Sequence, residues 1–174
     1  RAVVKLWGAD GSLDTLWDVD FGGKFSRMRD AEIGDIYGDG SQAIVVATHD
    51  QGVVAVLRPD GEGGFSVEEL DRTPETVVHE IELGDLNGDG FPELVFADAG
   101  TQSQQVSFVY WGSQEGYSEK RRTELPTLEP SDVVLADFNR DSRIDIAFSN
   151  TSDGKTLDVN SYIYWNGPEG FSAA

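Results

Sequence analysis

The sequence predicts an all-β protein made of repeated four-stranded sheets, the blades of a β-propeller, with three complete units and half of another ahead of them. Three observations carry this. The segments Asp35-Ile36-Tyr37-Gly38-Asp39-Gly40, Asp85-Leu86-Asn87-Gly88-Asp89-Gly90 and Asp137-Phe138-Asn139-Arg140-Asp141-Ser142 align without gaps, their first aspartates 50 and then 52 residues apart. A period of that size belongs to propellers and related arrays, in which one repeat is one small sheet. Between the loops stand short runs of β-branched and aromatic residues bounded by Gly, Asp, Asn and Pro. Such runs are the strand signal, and no window of helical length sustains a 3.6-residue period.

The leading half-blade, residues 1–25, supplies two strands at about 2–7 and 13–19, because Val4 to Leu13 resembles the later hairpins. The first blade, 26–73, places strands at 31–33, 44–48, 53–57 and 65–70. The second, 74–125, places them at 80–83, 94–97, 106–111 and 117–123. The third, 126–174, has 132–136, 144–148, 161–165 and a fourth from 171 onward. The turn from Tyr110 to Ser118 matches Tyr164 to Ser172 in length, so the third and fourth strands of these two blades are expected to join alike. Propellers close with about four to eight blades. Three and a half would leave open sheet edges, which invite pairing. The chain therefore reads as part of a larger propeller or as one completed by oligomerisation, and Arg1 leading straight into a strand-like run fits a mature or trimmed chain.

Composition narrows the function. Thirteen basic residues against thirty-two acidic ones give a formal charge of -19 over 174 residues, which repels a phosphate backbone, so nucleic acid is not an expected partner. The apolar runs are far shorter than the roughly 18 residues needed to cross a membrane, so no membrane insertion is expected. Without cysteine there is neither a disulfide nor a thiolate metal site, while 39% hydrophobic residues suffice for a sizeable core.

The repeated loops concentrate oxygen donors. In the second, Asp85, Asn87, Asp89 and Glu93 stand at positions 1, 3, 5 and 9, with the Phe91 carbonyl at position 7. Calcium accepts six to eight oxygens at about 2.3–2.6 Å in such flexible geometry. The third loop offers Asp137, Asn139, Asp141, the Arg143 carbonyl and Asp145, although Ser142 replaces the glycine found at Gly90 and is expected to strain the turn. The first has Asp35, Asp39 and the Ser41 carbonyl, but Tyr37 and Ala43 at positions 3 and 9 carry no suitable oxygen, so a third site would be weak. An EF-hand is excluded: it needs a bidentate glutamate at position 12, where this chain has Val46, Phe96 or Phe148 inside strands.

These units resemble FG-GAP/VCBS repeats, the calcium-binding β-propeller blades of integrin α-chains and of many bacterial secreted proteins. The motif is densest in Gly84 to Ala97 and Ala136 to Ala147. The resemblance implies that each loop joins the first two strands of a blade and is braced by calcium. It also implies a scaffold for adhesion or ligand binding more often than an enzyme.

Other candidates are weaker. His49 and His79 occupy non-equivalent places, and no Ser-His-Asp order, zinc spacing or phosphate loop accompanies them. Trp7, Trp111 and Trp165 recur at one column of the repeat, with Tyr110 and Tyr164 beside the last two. A locked column reads first as packing between blades and second as a stacking platform for sugars. Asn150-Thr151-Ser152 is a glycosylation sequon. The sequence thus leads to a calcium-stabilised, non-catalytic binding, adhesion or assembly scaffold, located outside the cell, on its surface or in a periplasm. Its expected partners are a protein or glycan ligand, or further copies meeting at open blade edges. The alternative is an accessory or catalytic propeller of a secreted carbohydrate-active lyase or hydrolase.

Overall fold

Strands form where the apolar alternation is uninterrupted, and each ends where Asp, Asn or Gly can take the backbone out of the extended region. A computed structural model describes residues 2–7, 10–19, 28–48, 53–62, 64–70, 77–99 and 105–173. It contains fourteen strands and no helix among the described residues. The hairpin β1 (Ala2–Trp7) and β2 (Leu13–Val19) comes first. Three antiparallel four-stranded sheets follow, each a simple meander.

The first sheet comprises β3 (Met28–Gly34), β4 (Ala43–Thr48), β5 (Val54–Pro59) and β6 (Phe65–Glu69). The second has β7 (Val78–Gly84), β8 (Glu93–Asp98), β9 (Val106–Tyr110) and β10 (Arg122–Pro126). The third has β11 (Pro130–Ala136), β12 (Asp145–Asn150), β13 (Tyr162–Gly167) and β14 (Gly170–Ala173). The expected blades are therefore present as sheets. The expected breaks after residues 25 and 73 fall outside the described residues, and the break after 125 cuts the last residue of β10, since Pro126 pairs with Val106.

The second sheet buries both faces because a neighbouring sheet stacks on each. Val45, Ala47, Val54 and Val56 of the first meet Ile81, Leu94, Phe96, Phe108 and Tyr110 of the second. The opposite face of the second sheet, with Val95, Ala97 and Val109, meets Val133, Ile146, Phe148 and Tyr164 of the third. A fully buried Phe or Ile is worth roughly 1.5–3 kcal/mol, so these two seams hold the stack. The first strands of successive sheets run side by side, β3 against β7 and β7 against β11. Loop position 2 also belongs to the seams: Ile36 and Leu86 are 0% and 5% exposed, whereas Phe138 is 43% exposed. The difference follows from stacking, because no further sheet covers the third among the described residues.

Two hairpins expected to match do not. In the third sheet Gly167 pairs with Gly170 across a tight turn, but in the second Tyr110 pairs with Arg122, and the fourth strand occupies 122–126 instead of 117–123. Tyr117 explains the shift. Its ring is buried and its hydroxyl donates to the Pro92 carbonyl at 2.9 Å, which removes it from any strand.

Candidate metal-binding loops

The three acidic loops join the first and second strands of their sheets: β3 to β4, β7 to β8 and β11 to β12. In each, the first aspartate folds the loop around itself. Asp85 Oδ1 accepts the N–H groups of Gly88 (2.7 Å) and Asp89 (3.1 Å), and Oδ2 accepts Gly90 N–H at 2.9 Å. Asn87 Oδ1 accepts Asp89 N–H at 2.8 Å, and Asp89 Oδ1 accepts Phe91 N–H at 2.9 Å. These nested turns hold the side chains at positions 1, 3 and 5 in place before any ligand arrives.

The third loop repeats the pattern. Asp137 accepts the N–H groups of Asp141 and Ser142 at 3.0 and 2.9 Å, Asn139 Oδ1 accepts Asp141 N–H at 2.9 Å, and Asp141 Oδ1 accepts Arg143 N–H at 2.9 Å. The strain expected at Ser142 is present and doubled: Arg140 has φ 65° and Ser142 φ 71°, where the second loop has Gly88 and Gly90 at 77° and 88°. Side chains in that region cost about 1–2 kcal/mol each.

Position 9 has a role that spacing did not reveal. Glu93 and Asp145 are both 0% exposed. Glu93 Oε2 accepts Leu86 N–H at 2.7 Å and Oε1 accepts Gly112 N–H at 3.3 Å. Asp145 does the same with Phe138 N–H at 3.1 Å and Asn166 N–H at 2.9 Å. Asp145 thus ties its loop to the third strand of its sheet, while the extra methylene of Glu93 reaches Gly112, just past the third strand, where a Cβ would lie 2.5 Å from the Pro92 carbonyl oxygen. Burial pushes the Glu93 carboxyl up to about 7, against the pull of the two N–H donors, with the Asp89 and Asp85 charges adding to the rise. A cation beside it would favour the ionised form.

The donor set of the second loop fits a hard cation. The Asn87 amide nitrogen stands between two carboxylates, 3.0 Å from Asp89 Oδ2 and 3.4 Å from Glu93 Oε1. One neutral N–H donor therefore already bridges these oxygens, at the place a divalent ion would take more strongly. In the third loop the Asn139 amide reaches Asp141 Oδ2 at 3.3 Å. Among the described residues no three His, Cys, Asp or Glu side chains form a metal cage without help, so Asn side chains and main-chain carbonyls would complete the coordination. The residues Asp85, Asn87, Asp89, Phe91 and Glu93, and Asp137, Asn139, Asp141, Arg143 and Asp145, are each brought into one loop.

The first loop is wired differently. Asp35 accepts Asp39 N–H and Gly40 N–H at 3.1 and 2.9 Å, as its counterparts do. Asp39, however, accepts the Ser41 N–H and hydroxyl on Oδ1 and the Arg58 guanidinium on Oδ2 at 2.5 Å. The Ser41 hydroxyl first, and Arg58 with it, hold the Asp39 carboxyl down at about 2. Tyr37 is buried in the seam between the first two sheets, and Ala43 is fully buried. Neither offers an oxygen to the loop.

The aromatic column packs between sheets. Tyr110, edge-on to Phe96 of its own sheet at 5.1 Å, lies in the seam with the first sheet, and Trp111 stacks on Phe171 of the next sheet at 6.2 Å and 27°. The Trp111 indole N–H donates to Thr123 Oγ1. Trp111 also lines a cleft of about 470 Å³ with Asp85, Asn87, Arg143, Asn166 and Gly170. His79 Nδ1 lies 2.9 Å from the Pro130 carbonyl, linking β7 to β11; His49 and the side chain of Trp7 lie outside the described residues. The sequon asparagine, Asn150, is engaged at both ends of its amide, accepting Leu128 N–H and donating to the Asn160 carbonyl.

Sequence reasoning missed one titratable cluster. Asp30 and Glu32 on β3, Glu80 and Glu82 on β7, and Asp132 on β11 come together where the first strands adjoin. Glu80 is pushed up to about 7 by burial, by a hydrogen bond to Asp132 and by the surrounding charges, and Glu82 and Glu32 are raised, mainly by burial. Acidic residues at every second position of two successive first strands were the available signal.

Meandering four-stranded sheets, stacked face to face with an acidic loop at the same corner of each, define an all-β repeat protein with propeller-like blades. The FG-GAP-like repeat family matches residues 35–96 and 85–148, two overlapping spans that each run from one acidic loop into the strand following the next. The chain belongs to this FG-GAP repeat family. No curated protein matches it in sequence. Among the described residues no helix is long and apolar enough to cross a membrane.

Proposed function

We propose that this chain is a calcium-stabilised binding scaffold working outside the cell, with no catalytic role of its own. FG-GAP repeats suggest a binding or adhesion type of domain. The observation that carries the calcium reading is the Asn87 amide held between Asp89 and Glu93, inside a loop whose other donors are already fixed by main-chain hydrogen bonds. A divalent ion taken up there, and another in the third loop, would bind the folded chain and not the unfolded one. At 100 times the dissociation constant each ion adds about 2.7 kcal/mol of stability. Millimolar extracellular calcium suits loops of this affinity class.

The partner is a protein or a glycan. The Trp111 cleft supports a sugar-sized ligand, since it joins an aromatic surface to the polar groups of Asp85, Asn87 and Arg143. The exposed Phe138 on the last sheet, at a position buried in the two preceding ones, supports self-association through the uncovered blade. Thermal melting with calcium and with excess chelator tests the core of the proposal. A marked fall in Tm on chelation is expected, and an unchanged melt sinks it.

A second reading rests on the inner-strand carboxylates. Burial first, and the hydrogen bond to Asp132 with it, push the Glu80 carboxyl up to about 7, and a carboxyl that titrates near neutrality can act as a general acid or base on a glycan. Release of reducing ends from acidic and neutral polysaccharides, lost on Asp132→Asn, would establish it. No release from any of them removes it.

A further inference from the structure

Strand register identifies an exchange between the first blade and the other two. Ile44 pairs with Leu57, Leu94 with Tyr110 and Ile146 with Tyr164. The residues that follow, Arg58, Trp111 and Trp165, therefore occupy one column of the repeat. The adjacent loop changes in the opposite sense, with Tyr37 at position 3 where the later loops have Asn87 and Asn139. In the second and third blades a polar loop residue accompanies an aromatic strand residue. In the first, an aromatic loop residue accompanies a cationic one.

The exchanged pair is in contact. Tyr37 turns away from the loop into the seam, 7% exposed, with its hydroxyl 3.4 Å from Glu68. The Arg58 guanidinium carbon lies 4.1 Å from the centroid of the Tyr37 ring, and Nη2 donates to Asp39 Oδ2 at 2.5 Å. Arginine suits both contacts, since its planar cation stacks on aromatic faces and bonds carboxylates in the same orientation.

We propose that Arg58 is the built-in cation of the first loop, closing it in the way the second and third loops leave to a metal ion; in the third the Arg143 guanidinium stands back from the matching carboxylate, 3.8 Å from Asp141 Oδ2. A divalent ion approaching Asp39 would meet a guanidinium already seated on that carboxylate and would be repelled. It would also lack the donors at positions 3 and 9, because Tyr37 faces the seam and Ala43 has no oxygen to offer. What remains supplies too few protein oxygens, and water would have to fill most of the six to eight positions. The first blade then keeps its loop when calcium is withdrawn, and the calcium response is confined to the two blades that follow.

The ion count rests on the calcium reading above; the arginine contact does not. Calorimetric titration of the intact chain should find two calcium ions, with Asp39→Asn leaving the count at two and Asp89→Asn lowering it to one. Three ions, or an ion lost with Asp39→Asn, would overturn the proposal. A chain that binds no calcium refutes the calcium reading and leaves the decision to melting in excess chelator. There Arg58→Met should lower Tm by about 2–4 °C, Asp39→Asn should lower it less, and the double variant should melt with Arg58→Met alone. Additive losses, or no loss with Arg58→Met, overturn the proposal.

Discussion

Asn166 on β13 donates its side-chain amide to the main-chain carbonyl of Leu86 at 2.7 Å, a buried bond between residues eighty positions apart. The same amide reaches the Ile144 carbonyl at 3.1 Å. One side chain thus fastens the second acidic loop to the third, across the seam between their sheets. Replacing it with alanine leaves two carbonyls without that donor at the buried wall of the Trp111 cleft. Asn166→Ala should cost about 1–3 kcal/mol, read as a lower urea midpoint. An unchanged midpoint would mean that the bond does not hold the seam.

Calcium removal should separate the loops. With the ion present, Asp89→Asn should lose most of the stabilisation belonging to the second site, up to about 2.7 kcal/mol at 100 times the dissociation constant. Asp39→Asn should change the calcium-dependent gain little. Differential scanning calorimetry with and without chelator measures both, and the opposite ranking would reverse the assignment.

The third loop should be improvable. Gly88 and Gly90 occupy the left-handed region at no steric cost, whereas Arg140 and Ser142 are held there against it. Arg140→Gly and Ser142→Gly should each raise stability by about 1 kcal/mol, the relief of left-handed strain being partly offset by the freer unfolded chain. Thermal melts in chelator isolate this effect from ion binding, and a lower Tm for both variants would contradict it.

Stability should depend on the state of Glu80. Its carboxyl rises from 4.5 to about 7 in the fold, with burial the first cause and Asp132, Asp30 and Glu82 contributing. The folded state therefore holds a proton that the unfolded state releases between these values. The stability this contributes is complete below about 4.5 and is lost as pH rises through about 7. Glu80→Gln should remove that dependence and, at pH 8, raise stability by about 1–2 kcal/mol after allowance for solvent screening. Chemical denaturation at pH 5, 6, 7 and 8 in chelator follows it, and equal slopes for wild type and variant would refute the assignment.

Strand identity, strand order and the recurrence of the acidic loop were legible because their causes are local. Period-two apolarity makes a strand wherever it occurs, and an aspartate three to five residues ahead of Gly or Asp bends the chain through its own carboxylate, as Asp85 does with Gly88 and Gly90. The limits of locality appear at Tyr117. The sequence from Tyr110 onward matches that from Tyr164 onward, yet Tyr117 leaves the strand because a carbonyl at Pro92 lies within its reach, and nothing within the hairpin announces that partner.

The site divides along the same line. Asp35, Asp85 and Asp137 could be assigned from spacing, since each acts on its own loop. The tasks of Glu93 and Asp145, buried props to Gly112 and Asn166, depend on a third strand folding back beside them. Tyr37 and Arg58 look like defects of a motif until the sheets stack and bring ring, guanidinium and Asp39 together. Short-range chemistry in the chain was sufficient to build the repeat. Which copies leave room for an ion was settled by burial and by partners nineteen to eighty residues away, because a side chain's charge and freedom depend on what packs against it.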